Sequence, residues 1–197
     1  MQTHSRFNCT ALLVGVGLTV CLATAHAQDS LKVGDRAPEF SGVANNGKPW
    51  RSSDHVGKQT LVAYFYPAAM TGGCTKQACG YRDLRTRLTK LGVAVVGISG
   101  DRTQNLKYFK QVNRLNFPLL ADTSGTIARA FGVPLSNGGT IKRTVDGKEV
   151  ELTRDRTAAR WTFVIGSDGK IAMIETDVNP EGDAQVVAEA IEKMGGK

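Results

Sequence analysis

Two cysteines five residues apart, Cys74 and Cys79, lie in the stretch YFYPAAMTGGCTKQACGYRD, which runs from Tyr64 to Asp83. A pair of thiols can staple a chain, ligate a metal or cycle between dithiol and disulfide. Four intervening residues are neither the gap of a Cys-x-x-Cys redox pair nor an obvious metal knuckle. On one ideal helix the pair is separated by a rise of roughly 7.5 Å and a turn of about 500°. The two Cα atoms then stand about 8 to 9 Å apart on different faces. A disulfide needs Cα atoms within about 7 Å, so the two sulfurs bond only if the helical turn unwinds. A permanent bridge over so short a loop also constrains the unfolded chain less than a long-range one. The spacing favours a conditional disulfide over a structural staple.

The residues around the pair assign roles. Cys74 falls in the first turn of the expected helix, where free N–H groups and the macrodipole favour a thiolate, while Cys79 sits a turn and a half further in. Cys74 is then the attacking thiol and Cys79 the resolving one. A thiolate that meets peroxide becomes a sulfenic acid, which condenses with a neighbouring thiol. Thr71 is placed to cap the helix, its oxygen accepting from the N–H of Gly73 or Cys74, and its hydroxyl is near enough to bind a peroxide oxygen. Gly72 and Gly73 let backbone amides approach a small ligand, and Pro67 ends the preceding strand and can shield a pocket. Each has a plainer reading: a cap, two turn glycines, a turn proline and, for Cys79, a small core residue. Histidine occurs only at His4, His26 and His55, so a metal site with the two thiols has one candidate imidazole and no fourth ligand; neither metal nor cofactor is expected.

The elements that must position these residues follow from hydrophobic pattern. Gln59 to Tyr66 and Val93 to Ser99 are continuous apolar, β-branched and aromatic runs, expected as buried strands. A helix is predicted from Gly73 to Leu91, ended at Leu91-Gly92, and a second from Thr103 to Asn113. Phe117 to Ala121 reads as a short strand and Ser124 to Ala130 as a short helix. Asn46-Gly47 signals a tight hairpin turn. The polar stretch from Pro134 to Arg160, with turn signals at Asn137-Gly138-Gly139 and Asp146-Gly147, reads as a surface hairpin or loop insertion. Trp161 to Ile165 and Ile171 to Glu175 form a further hairpin, and Ala184 to Met194 a closing helix. The order predicts an α/β fold with a mixed central sheet and flanking helices. Its parallel part places the end of the Gln59 strand, and with it Cys74, on the side where such folds build their sites.

Residues 1–27 have Arg6, an apolar run from about Ala11 to Ala23, and Ala25-His26-Ala27 ahead of polar residues. This is the pattern of a secretory signal peptide cleaved after Ala27, and the apolar run is short for a bilayer span. The expectation is an exported, periplasmic domain of residues 28–197 with no stable membrane association, in which Cys9 and Cys21 are lost and only Cys74 and Cys79 remain. The net charge of +7 falls to +6. No run of Lys and Arg with interleaved aromatics points to nucleic acid.

Pro67-Ala-Ala-Met-Thr71-Gly-Gly-Cys74 resembles the P-x-x-x-T-x-x-C motif of the peroxiredoxins, and the continuation to Cys79 and Asp83 resembles their bacterioferritin-comigratory, or Q-type, subgroup. Gly34-Asp35-x-Ala37-Pro38-x-Phe40, Val96-Gly97-Ile98-Ser99, Phe131-Gly132-Val133 and Arg160-Trp161-Thr162-Phe163-Val164-Ile165 extend the resemblance over nearly all of residues 28–197. It implies a thioredoxin-like fold and a thiol peroxidase acting on hydrogen peroxide and organic hydroperoxides. Cys74 would be peroxidatic, Cys79 resolving, and Thr71 and Arg160 would orient the peroxide. Spacing alone does not single out Arg160 from Arg154 and Arg156. A thioredoxin-like dithiol reductant and a monomeric state are implied as well. Gly72 stands where the subgroup has proline, and Ala68-Ala69-Met70 where it has a charged stretch, so a more flexible, less polar loop is expected. The rival reading, an exported protein disulfide oxidoreductase, would want a W-C-x-x-C pair.

Overall fold

The computed structural model describes residues 1–2 and 30–195; residues 3–27 of the expected leader lie outside them. The architecture is built on strand β3 (Thr60–Phe65), every residue of which is buried. Its side chains alternate between two cores, as a period of two requires. Val62, Tyr64 and the following Tyr66 join Tyr81, Phe109 and Val187 on one face, and Leu61, Ala63 and Phe65 join Ile98, Phe131 and Phe163 on the other.

Around β3 the sheet takes in β1 (Ser41–Ala44), β2 (Pro49–Arg51), β4 (Val93–Ser99), β5 (Leu119–Ala121), β8 (Trp161–Ile165) and β9 (Ile171–Glu175), in the order β2-β1-β5-β4-β3-β8-β9. The β3–β4 and β4–β5 pairs are parallel and the rest antiparallel, giving the mixed sheet the pattern predicts. Helices α1 (Gly72–Asp83), α2 (Arg85–Lys90), α3 (Thr103–Val112), α4 (Thr126–Ala130) and α5 (Asp183–Lys193) complete the layers.

The structure corrects the sequence reading at the helix after Cys74 and at one of the two turns expected after Pro134. The helix expected from Gly73 to Leu91 is divided at Leu84, whose backbone (φ −83°, ψ 5°) leaves the helical region between α1 and α2. The polar stretch after Pro134 is a long hairpin of β6 (Leu135–Val145) and β7 (Lys148–Ala158), a separate two-stranded sheet. Asp146 and Gly147 turn it, both at positive φ, as a two-residue hairpin turn requires. Asn137-Gly138-Gly139 lies inside β6 rather than at a turn. A Cβ on Gly138 would fall 2.0 Å from the Arg154 carbonyl oxygen, and one on Gly100 2.1 Å from that of Arg156. Glycine is needed on both sides because the backbone of residues 154–156 runs between them.

Candidate functional site

Strand β3 ends beneath the site. After the half-buried Pro67, residues 68–71 form a short loop that delivers the chain to the first turn of α1. Thr71 occupies the N-cap position with extended backbone (φ −99°, ψ 155°), but its side chain makes no capping bond. Its Oγ1 instead donates to the Ala68 carbonyl oxygen at 2.9 Å. The hydroxyl proton is therefore engaged within the loop, and the oxygen lone pairs remain to accept from a ligand.

Cys74 is buried at 1% exposure, and the guanidinium of Arg160, the residue before β8, lies against it with Nη2 3.4 Å from Sγ. The sulfur thus has a cationic donor within hydrogen-bond reach. The approach depends on Gly73, where a Cβ would stand 3.3 Å from Arg160 Nη2 and 3.5 Å from Pro180 Cγ. Gly72, by contrast, faces open space.

Arg160 is itself held. Its Nη1 donates to Gln77 Oε1 at 2.7 Å, and Gln77 Nε2 donates to Asp183 Oδ2 at 2.7 Å. The same carboxylate oxygen accepts from Tyr81 Oη at 2.8 Å and Thr162 Oγ1 at 3.0 Å. Burial lifts Asp183 above the ordinary carboxylate value, and the bonds from Gln77, Tyr81 and Thr162 pull against that shift. On the other side of the loop, Asp101 accepts from the Ala69 N–H at 2.7 Å. Burial raises the phenols of Tyr64 and Tyr81 well above the usual value, so both stay neutral.

The structure thus brings Cys74, Arg160 and Gly73 into contact and sets Thr71 one turn before the sulfur. Cys79 is on the same unbroken α1, half-buried, and both thiols are free. The sequence reading missed Gln77, Tyr81, Thr162, Asp183 and Asp101. Gln77 was findable, because three residues after Cys74 it shares a helix face with it; Asp183 lies 106 residues from Gln77, and no local pattern links them. Among the described residues no group of three or more His, Cys, Asp or Glu side chains is arranged to hold a metal ion.

Residues 33–174 match the model of the AhpC/TSA family. The chain is 40% identical over 157 residues to peroxiredoxin Bcp of Escherichia coli (strain K12), covering 80% of this chain and 93% of that one. The crystal structure of peroxidoxin BcpB from Mycobacterium tuberculosis superposes with a TM-score of 0.69 at 34% identity, over 83% of this chain and 98% of that one. Peroxiredoxin Q of Xanthomonas campestris superposes with a TM-score of 0.63 at 27% identity, over 78% and 90%.

Proposed function

Since the chain belongs to the AhpC/TSA family and is a peroxiredoxin, a thiol peroxidase that takes a peroxide and a thiol reductant, we propose that Cys74 is its peroxidatic cysteine and Cys79 its resolving one. The observation that carries this reading is the Arg160 guanidinium 3.4 Å from a buried Cys74 sulfur at a helix start. The thiolate attacks the terminal oxygen of ROOH, the O–O bond breaks, and RO⁻ leaves as ROH on taking a proton. Arg160 and the backbone amides near Gly73 and Cys74 stabilise the developing charge. Thr71, its own proton engaged by Ala68, accepts from the hydroperoxide O–H, and Pro67 screens the pocket.

Cys74 is left as a sulfenic acid. Both cysteines stand on an intact helix, so the start of α1 unwinds before Cys79 condenses with the sulfenic acid, forming the S–S bond and releasing water. An external dithiol, of the thioredoxin kind, then supplies two electrons and two protons and restores both thiols. The pair resolves within one chain, which supports a monomer. The leader pattern supports export to the periplasm as residues 28–197, acting on hydrogen peroxide and organic hydroperoxides. Expected of Cys74→Ser is complete loss of peroxide consumption; undiminished turnover would overturn the assignment. Cys79→Ser should give one rapid oxidation, read by mass spectrometry as a sulfenic or overoxidised Cys74, and lose turnover with dithiol.

A further inference from the structure

The hairpin β6–β7 reaches the active-site loop. Arg143, on β6, donates from Nε to the Met70 carbonyl oxygen at 2.8 Å and from Nη1 to the Lys142 carbonyl at 2.7 Å, which fixes the plane of the guanidinium. Met70 is one residue before Thr71 and holds a left-handed backbone at φ +62°. For a residue other than glycine that conformation persists only where surrounding contacts impose it. Here they are the Arg143 bond and a contact from Asn113 Nδ2 to the Met70 sulfur at 3.8 Å.

The hairpin is itself anchored along α3 and the end of β4. The Asp155 N–H donates to the Gly100 carbonyl at 3.1 Å, Asn105 Nδ2 to the Thr153 carbonyl at 2.8 Å, and Gln111 Nε2 to Asp146 at the turn at 3.0 Å. Arg102 pairs with Asp155 at 2.8 Å. Asn105 also donates to Asp101 at 3.0 Å, the carboxylate that binds the Ala69 N–H. Two consecutive residues of the loop are thus gripped from the hairpin side, Ala69 at its N–H and Met70 at its C=O.

We propose that Arg143 is a positioning residue for the peroxide reaction: through the Met70 carbonyl it holds residues 68–71 in the shape that sets Thr71 and the start of α1 around Cys74. The hairpin thereby favours attack on peroxide over unwinding toward Cys79. This rests on the peroxidase reading above. Without the guanidinium, Met70 relaxes from the left-handed region and Thr71 moves with it. The loop then reacts more slowly with peroxide and opens more readily.

The test is Arg143→Ala against the parent, following oxidation and condensation separately by rapid mixing. The second-order rate with peroxide should fall about tenfold, the scale of one hydrogen bond to a charged group, while the first-order condensation with Cys79 is unchanged or faster. Overoxidation, in which a second peroxide gives its oxygen to the sulfenic acid and leaves as ROH or water, should then need more peroxide per turnover. Arg143→Lys keeps the charge but not the planar fork and should fall between; should the alanine variant not fold, the same two rates in the lysine variant decide. Both rates within twofold of the parent, or both reduced together, would overturn the proposal. A parent that consumes no peroxide overturns the peroxidase reading itself, whereas a parent that turns over beside an unaffected variant overturns only the role of Arg143.

Discussion

Two buried carboxylates brace the chain around Cys74, Asp101 at the loop before α1 and Asp183 within α1, and they bind different things. Asp101 gathers the Ala69 N–H, Ser99 Oγ (3.0 Å) and Asn105 Nδ2, and so fixes the backbone of the loop. Asp183 takes three side chains on one oxygen, from Gln77 and Tyr81 on α1 and Thr162 on β8. Among the described residues neither forms an ion pair; hydrogen bonds alone compensate their burial. If residues 72–79 unwind, Asp183 loses Gln77 but keeps Tyr81 and Thr162, while Asp101 keeps all three donors. Opening of that turn therefore costs Asp183 a donor and Asp101 none.

The contrast can be broken experimentally, and the largest effect should come from Asp183→Ala. It leaves Tyr81 and Thr162 buried without their acceptor and frees Gln77 from one side, which should cost about 3 kcal/mol in urea unfolding. Asp101→Ala should cost less, about 2 kcal/mol, because Asn105 retains the Thr153 carbonyl. A larger loss for Asp101 than for Asp183 would reverse the ranking. In the Asp101 variant the Ala69 N–H is released, so the peroxide rate should fall by more than its stability loss alone would produce.

A smaller effect is the pH dependence. Burial raises Asp183 in the folded state above its ordinary 3.8. As pH climbs past that ordinary value, the unfolded chain gives up this proton more readily than the folded one. The contribution of Asp183 to stability is therefore greatest below the ordinary value and is lost as pH rises through the folded one. Unfolding free energies measured across that window should decline less steeply in Asp183→Asn than in the parent, and parallel curves would refute it. The smallest effect is at Gly72, the first helical residue, where a side chain meets open space and the preceding Thr71 is extended as a residue before proline must be. Gly72→Pro should stabilise by about 0.4–1 kcal/mol and slow condensation with Cys79, since it stiffens the turn that must open; equal condensation rates would show that the turn does not limit that step.

Much of this was legible in the sequence because it is local. The runs at β3 and β4 and the Asp146-Gly147 turn carry their own period or backbone requirement, and Cys74 announces itself by its place at a helix start. What failed was also local but had a competitor. Thr71 looked like a side-chain cap, yet Ala68 offers its hydroxyl a carbonyl. Asn137-Gly138-Gly139 looked like a turn because the other use of Gly138, letting the backbone at Arg154 pass close by, depends on a strand not yet placed. The carboxylates were illegible for a different reason: Asp183 and Asp101 act on residues 106 and 32 positions away, and only the closed sheet brings them together.

The break at Leu84 has a consequence for how far opening can spread. Helix unwinding is cooperative along a continuous run of hydrogen bonds, and α1 ends where its ladder is interrupted. Helix α2 keeps Leu88 fully buried and ties its Arg87 to Glu192 on α5 at 2.7 Å. The α1 segment can therefore behave as a separate unit of local unfolding, and in the proposed cycle the opening that brings the two thiols together need not pass Leu84.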